Sequence, residues 1–242
     1  MYKTCIFDLY GTLIDIHTDE EQPLVWEKLA LFYGYYGASY TPVRLKEAYE
    51  NITENQSAGN LFRGDSHEAF PELKLEHVFL ELFTRKGVEA NTELAIHAGQ
   101  FFRILSTEYI RLYPHTLQML EALKKAGKKL YLLSNAQKIF TEYEMKSLNL
   151  RDYFDGIFLS SDYGIKKPDP RFFQKLADTC HISPAGTIMI GNDGNCDIAG
   201  AKQIGWDTLY VHSNISPKEA APAATFVLPE MDMRKIRQIL LK

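Results

Sequence analysis

The chain has 242 residues, of which 45% are hydrophobic and 24% are charged, and its formal net charge is -4 at pH 7. These values are typical of a folded globular protein and exclude a disordered or fibrous chain. No basic segment interleaved with aromatic residues indicates binding to nucleic acid, and no stretch is apolar for long enough to cross a membrane. The first apolar run stops at Asp8, too early for a signal peptide, so we expect a cytoplasmic protein.

The first predicted strand is the short apolar run Cys5-Ile6-Phe7, which ends at Asp8. The residues that follow, Leu9 to Leu13, include Gly11, which permits a sharp change of backbone direction. In open α/β folds, ligands bind at the carboxyl ends of the strands, so a carboxylate at this position is a candidate for chemistry. Taken alone, Asp8 could equally well cap a turn.

The next region, from about residue 22 to residue 109, shows helical periodicity and many aromatic residues. Its glycines and prolines divide it into several helices. We therefore predict a helical insertion over residues 16–111, between residues 1–15 and 112–242 of an α/β core. The aromatic stretch from Phe32 to Tyr36 could line a pocket, but its helical spacing favours packing inside the helical unit.

After residue 112, predicted helices alternate with continuous apolar runs. Thr116 to Ala126 has the spacing of an amphipathic helix that stops at Gly127. Continuous apolar runs between helices are typical of parallel strands that are buried on both faces. These runs are Leu130–Leu133, Ile157–Leu159, Ile188–Ile190 and Thr208–Val211. The alternation predicts a doubly wound α/β fold with a parallel, Rossmann-like sheet.

Polar residues follow three of these runs: Ser134-Asn135, then Lys166 to Pro170, and then Asn192 and Asp193 with Asp197. Each group alone is common in turns and at helix starts. Because the carboxyl ends of parallel strands share one edge of the sheet, we expect them to converge there on Asp8. Together they would supply a nucleophile, hydroxyl and amide donors, a cation and further carboxylates.

In this order and at these spacings, the four segments resemble the motifs of the haloacid dehalogenase superfamily of hydrolases, specifically the members with a helical cap inserted after the first motif (subfamily I). The resemblance implies that Asp8 is the nucleophile, which forms a covalent ester that water then opens. It also implies that Ser134 holds the transferring group and that Lys167, the lysine directly before proline, neutralises charge.

Three further residues are candidates for substrate binding. Thr12 and Asn135 belong to the motifs themselves, and Arg63 is a candidate anion ligand within a polar segment of the insertion, residues 55–65.

The acidic fourth motif implies Mg²⁺, because this hard cation is bound by carboxylates, carbonyl oxygens and water. The candidate ligands are the Asp8 carboxylate, the Tyr10 carbonyl and Asp193. Asn192 stands where the family usually has an aspartate, so either Asn192 or Asp193 could occupy the ligand position. We choose Asp193 for its charge and place Asn192 and Asp197 behind the ligands, with a helix-capping role for Asp193 as the alternative.

Tyr10 departs from the pattern of the phosphatases in this family, which usually carry an aspartate there as general acid and base. A tyrosine hydroxyl, with an ordinary pKa of about 10, is a poor proton shuttle at neutral pH. The dehalogenases of the family do carry tyrosine, and a halide leaves without a proton. Asp15 and His17 are the nearest alternative acids, although a turn and a solvated loop are the more ordinary roles for them.

The first interpretation is therefore a Mg²⁺-dependent phosphatase that acts on a small phosphorylated metabolite through an aspartyl-phosphate. A 2-haloacid dehalogenase is the second, and a relative that only binds a phosphorylated ligand is the third. Against the dehalogenase, the chain has Trp26-Glu27 where those enzymes usually have an arginine beside the tryptophan. It also has Phe172-Phe173 where they have a tyrosine.

Overall fold

The computed structural model describes residues 1–60, 72–218 and 222–242, with the side chains of residues 55–60 not described. The strands are β1 Thr4–Phe7, β2 Ile14–Thr18, β3 Thr107–Leu112, β4 Lys129–Ser134, β5 Gly156–Leu159, β6 Thr187–Gly191, β7 Asp207–Val211 and β8 Phe226–Leu228. The helices are α1 Pro23–Tyr35, α2 Pro42–Asn60, α3 Leu75–Thr84, α4 Thr92–Ser106, α5 Thr116–Lys125, α6 Lys138–Ser147, α7 Ser160–Tyr163, α8 Pro170–Cys180, α9 Gly200–Gln203 and α10 Met233–Leu241.

Six strands form one parallel sheet in the order β5-β4-β1-β6-β7-β8. β1 lies in the middle, with Phe7 in register with Leu132 of β4 and with Ile190 of β6. The carboxyl ends of these three strands therefore lie side by side. The predicted doubly wound α/β fold is confirmed, because helices cover both faces of this sheet.

The buried side chains of β1 alternate between two hydrophobic clusters. Cys5 and Phe7 belong to the cluster that α5 and α10 cover, whereas Ile6 belongs to the cluster that α8 covers. A central strand that is buried on both faces has no solvent-facing side, which explains why its sequence is continuously apolar. The strand is fixed firmly, and Asp8 extends directly from it.

Helices α1 to α4 form a separate hydrophobic cluster, whose members include Trp26, Tyr33 and Phe102. Ile139 and Phe140 of α6 belong to the same cluster, so the helical insertion rests on α6. The insertion is expected to be helical, and the confirmed fold class includes its helices. In the described part of the chain no helix is both long and apolar enough to span a membrane.

Two antiparallel strands that the sequence analysis did not predict connect the insertion to the core. β2 pairs with β3, with Ile14 in register with Leu112 and Asp15 with Arg111. The boundaries predicted at residues 15/16 and 111/112 fall inside this pair. Both strands are short, β2 carries Asp15 and His17 beside its apolar residues, and no residue of β3 is fully buried, so their apolar pattern is weak.

Candidate active site

Asp8 lies at the carboxyl edge of the sheet, directly after β1, and it is almost fully buried. Its Oδ1 atom accepts hydrogen bonds from Ser134 Oγ at 3.0 Å and from Lys167 Nζ at 2.7 Å. Ser134 is the last residue of the neighbouring strand β4. The structure thus brings together the three residues predicted to be the nucleophile, the hydroxyl donor and the cation.

The ammonium group of Lys167 is buried, with 2% of the residue exposed. It donates to Asp8 Oδ1, to Asp197 Oδ1 at 2.6 Å and to the Leu133 carbonyl at 2.8 Å. Burial alone would lower the pKa of Lys167, but the Asp197 and Asp8 carboxylates outweigh that effect and raise it. Lys167 therefore carries its charge at neutral pH, and protein atoms use all three of its donors.

The side chain of Asn135 binds the main chain of Lys167 on both sides. Its Nδ2 donates to the Lys167 carbonyl at 2.9 Å, and its Oδ1 accepts from the Lys167 amide at 2.7 Å. We had expected Asn135 to bind substrate. The structure instead shows its amide committed to the loop that carries Lys167, although the residue does line the cavity beside Asp8.

Thr12 is completely buried, so it presents no surface to a substrate. Its hydroxyl lies 3.3 Å from Asp8 Oδ2 and 3.1 Å from Asn192 Oδ1. The chain reaches this arrangement through Gly11, whose φ of +83° is a left-handed conformation that glycine tolerates best. A Cβ atom at Gly11 would come within 2.4 Å of the Asn192 side chain. The expected substrate contact of Thr12 is therefore replaced by support of Asp8 and Asn192.

Asp193 starts the π-helical turn Gly194–Ala199 that follows β6. Its Oδ1 accepts hydrogen bonds from the amides of Asn195 at 2.9 Å and Cys196 at 2.8 Å. This oxygen therefore caps the turn, as the helix-capping alternative predicted. The amide of Asp193 donates to Asp197 Oδ2 at 3.0 Å. Asp193 still lines the cavity, with its other carboxylate oxygen left outside these two capping bonds.

Tyr10 lies on the loop after Asp8 and is one of the residues that line the same cavity. Its hydroxyl is bound by α6, where it donates to Glu144 and lies 2.9 Å from Thr141 Oγ1. Burial and the Glu144 carboxylate raise the pKa of Tyr10 well above its usual value. The phenol therefore stays protonated at neutral pH and is tied to α6, which is unsuitable for a proton shuttle.

The two alternative acids lie away from the cavity. Asp15 accepts hydrogen bonds from Arg111 and Asn214, both at 2.8 Å. Burial would raise the pKa of Asp15, but these hydrogen bonds lower it overall. His17 is half-exposed, 3.6 Å from Glu108 on the neighbouring strand. Neither residue lines the cavity beside Asp8. Both lie on β2, so the turn expected for Asp15 and the loop expected for His17 are wrong.

The cavity beside Asp8 has a volume of about 210 Å³. The residues that line it are Asp8, Tyr10, Ser134, Asn135, Lys167, Asn192, Asp193, Cys196, Asp197, Ile215 and Pro217. The last two belong to a loop after β7 that sequence reasoning missed, since nothing in an ordinary polar connection marks it as part of a site. Arg63 lies outside the described residues.

The oxygen atoms around this cavity fit Mg²⁺. Within the described ranges, no group of three or more His, Cys, Asp or Glu residues is arranged to hold a metal. Mg²⁺ does not need such a group, because it commonly binds one or two carboxylates and keeps several waters. Among the described residues, Asp8 Oδ2 has only the long contact with Thr12, and Asp193 has one oxygen outside its capping bonds. Hard oxygen donors are thus present where the sequence predicted them.

The three residues that weighed against a dehalogenase do not line the cavity beside Asp8. Glu27 is exposed on α1 and lines a separate groove on the helical insertion, so it does not face Asp8. Phe172 and Phe173 are completely buried in the core under the sheet. Tyr33 is buried inside the insertion, and Phe32 packs against that cluster, as the packing alternative predicted. For Tyr36, which is 44% exposed, that prediction is wrong.

A parallel sheet with a buried carboxylate and lysine at its carboxyl edge defines an α/β protein of the hydrolase type. The family model for haloacid dehalogenase-like hydrolases matches residues 2–205, so the chain belongs to this family of hydrolases.

Relatives of this chain include proteins with two different reactions. (S)-2-haloacid dehalogenase 4A of Burkholderia cepacia is 26% identical over 223 residues, which are 90% of this chain and 86% of that protein. Glyceraldehyde 3-phosphate phosphatase of Pyrococcus furiosus is 30% identical over 129 residues, 51% of this chain and 54% of the relative. The solved structure of 2-haloacid dehalogenase from Pseudomonas syringae is similar in fold, with a TM-score of 0.66, 21% identity and coverage of 99% of this chain and 98% of that one.

Proposed function

We propose that this hydrolase is a Mg²⁺-dependent phosphatase that acts on a small phosphorylated metabolite through an aspartyl-phosphate on Asp8. The observation that carries the proposal is the charge of the cavity. Three carboxylates line it, those of Asp8, Asp193 and Asp197, and among the described lining residues Lys167 is the one cation. All three donors of Lys167 are already used.

This charge balance favours a bound divalent cation. A phosphate monoester is itself an anion, so it would be repelled from a cavity in which carboxylates outnumber cations. Mg²⁺ beside Asp8 would offset the two excess negative charges of the cavity, so that a phosphoryl group would no longer be repelled from the nucleophile. Its ligands would be Asp8, the Tyr10 carbonyl and Asp193, and when bound it would neutralise charge that develops on the phosphoryl oxygens.

The residues of the chain would perform the reaction in two displacements. A carboxylate oxygen of Asp8 attacks phosphorus, and the bond to the ester oxygen breaks. The ester oxygen leaves with the electron pair of that bond and takes its proton from water. Water then attacks the acyl phosphate, which releases inorganic phosphate and restores the carboxylate. The Ser134 hydroxyl and the Lys167 ammonium hold Asp8 Oδ1 in a fixed direction throughout. Such preorganisation lowers the barrier because no reorientation is needed during the reaction.

The candidate acids of this site are poorly placed to protonate the leaving group. The Tyr10 hydroxyl is bonded to Glu144, and Asp15 and His17 lie elsewhere. In the described part of the cavity no carboxyl group takes the place of the usual acid two residues after the nucleophile. The best substrates should therefore have leaving groups that depart as weakly basic anions.

The same observation supports 2-haloacid dehalogenase activity as the second candidate. A halide needs no proton to leave, so Tyr10 would be no disadvantage, and Asp8 would displace halide from carbon. The relation to the Burkholderia cepacia dehalogenase extends over most of both chains. In the described lining, however, no unpaired cation is available to receive the carboxylate of a haloacid.

Parallel assays of the purified protein test the choice between the two reactions. We expect p-nitrophenyl phosphate to be hydrolysed with Mg²⁺ and not after treatment with EDTA, and we expect full recovery when Mg²⁺ is added back. Halide release from racemic 2-chloropropionate should be absent. Halide release that EDTA does not affect, together with no phosphatase activity, would contradict the phosphatase and support the dehalogenase in its place.

A further inference from the structure

The carboxylate of Glu144 joins three separate parts of the molecule. Tyr10 belongs to the loop after Asp8, and the acceptor of its hydrogen bond, Glu144, belongs to α6 of the core. Glu144 also binds Arg103 of α4, in the helical insertion, with Nε 2.7 Å from Oε1. A single carboxylate therefore links the nucleophile loop to the helical insertion.

This cluster is well shielded from solvent. The side chains of Arg103 and Glu144 are 18% and 13% exposed. The guanidinium lies over the ring of Tyr10, with 5.6 Å between the carbon atom and the ring centroid, and over Phe140 at 5.2 Å. Electrostatic contacts weaken little with salt when they are desolvated in this way, and removal of one partner leaves the other uncompensated.

Tyr10 also lines the cavity next to Asp8, so the residue that binds Glu144 is itself part of the reaction site. Between Asp8 and Tyr10 the chain is short and tightly bonded. The amides of Leu13 and Ile14 donate to the Leu9 carbonyl, and the Gly11 amide donates to the Ile14 carbonyl, all at 2.8 to 2.9 Å. A displacement of the Tyr10 ring would therefore be transmitted to the backbone that follows Asp8.

We infer that Glu144 is a positioning residue for the reaction at Asp8, acting through the Tyr10 hydroxyl, and that its pairing with Arg103 makes this positioning depend on the placement of the helical insertion. The inference relies on the proposed role of Asp8 as nucleophile but not on the choice between phosphate and haloacid substrates. It gives Tyr10 a function other than proton transfer.

Two variants separate this role from general stabilisation. Tyr10→Phe removes only the hydroxyl and leaves the pair of Glu144 with Arg103 intact. Glu144→Gln keeps the size of the side chain but removes its charge. Glu81→Gln is the matched control, because it breaks a half-exposed ion pair with Arg85 within the insertion, with 3.3 Å between Arg85 Nε and Glu81 Oε1.

The kinetic measurement uses whichever compound the wild-type enzyme turns over, p-nitrophenyl phosphate with Mg²⁺ or 2-chloropropionate. A misplaced nucleophile loses rate rather than affinity, so kcat should fall by about tenfold to a hundredfold in each variant, with KM changed by less than about twofold. The double variant should lose no more than the worse single variant, because both act through one contact. Glu81→Gln should keep the wild-type kcat.

The second measurement is independent of activity and of metal. Deuterium uptake by the amides of residues 8–14 should be faster in Tyr10→Phe and in Glu144→Gln than in the wild type, and unchanged in Glu81→Gln. If either kcat or deuterium uptake stays at its wild-type value in Tyr10→Phe, or if the two losses in kcat add, the inference is overturned. A wild-type enzyme without phosphatase activity would overturn the proposed function alone, since the variants can then be compared on halide release.

Discussion

Asn135 and Lys167 hold each other through two reciprocal hydrogen bonds, in which the side-chain amide of Asn135 binds both the amide and the carbonyl of Lys167. These bonds fix the backbone from which the Lys167 ammonium reaches Asp8. The two residues are 32 positions apart and follow different strands. The position of the Lys167 ammonium thus depends on the loop of Asn135 as well as on its own loop.

Asn135→Ala should lower kcat by about tenfold or more and leave KM nearly unchanged, because Lys167 loses its fixed position. Asn135→Asp should have a smaller effect, since it keeps an acceptor for the Lys167 amide. Steady-state kinetics of both variants measure the difference. A higher KM with an unchanged kcat would instead support the role in substrate binding that the sequence suggested.

Asp8→Asn should abolish turnover and leave the fold intact. An amide has nearly the shape of a carboxylate but cannot serve as the nucleophile, and Lys167 keeps its contact with Asp197. Turnover and the circular dichroism spectrum are the measurements, and Asp178→Asn on the exposed side of α8 is the control. Wild-type turnover in Asp8→Asn would show that the nucleophile is a different residue.

Lys167→Met should abolish activity and also lower the free energy of unfolding by about 3–5 kcal/mol, because the buried carboxylates of Asp8 and Asp197 lose their counter-charge. Lys166→Met, one residue earlier, should change both quantities little, since Lys166 does not line the cavity. Urea unfolding and turnover of the two variants test this contrast. Equal effects of the two substitutions would contradict it.

Gly11→Ala should destabilise the protein more than Gly87→Ala does. Both glycines have positive φ, +83° and +69°, so both alanines are strained by about 1 kcal/mol or more. Only at Gly11 does the new Cβ meet a neighbour, the side chain of Asn192. The difference between their unfolding free energies isolates that contact. Gly11→Ala should also lose activity, and no difference between the two variants would contradict the packing argument.

Catalysis should depend steeply on the leaving group, since the cavity provides no acid at position 10. An aryl phosphate should be hydrolysed much faster than an alkyl phosphate of similar size. Tyr10→Asp should narrow that gap by adding a carboxyl group, although it also removes the contact with Glu144 and so lowers the rate of both esters. Single-turnover rates on both esters are the measurement. Equal rates in the wild type would mean that another residue supplies the proton.

The sequence by itself predicted five of the six strands of the parallel sheet, all but β8, together with the order of the motifs and the convergence of Asp8, Ser134 and Lys167. It could do so because a strand buried on both faces must be continuously apolar, and because parallel strands bring their carboxyl ends to one edge. The residues that follow three such strands are therefore neighbours whatever the details of packing. The strands β2, β3 and β8 were not predicted, because β2 carries Asp15 and His17 and because β3 and β8 have no fully buried residue.

Only the tertiary structure decided what the remaining side chains contact. The sequence contains nothing that joins Tyr10 to Glu144, which are 134 positions apart and meet because the loop after β1 contacts α6. Arg103 reaches the same carboxylate because α4 packs on α6. Likewise, Thr12 supports Asn192 and Asp193 caps a helical turn because burial leaves each polar group few partners, and each takes the one within reach. The direction of a side chain is set by packing between segments that are distant in the chain, and the local sequence pattern does not predict that packing.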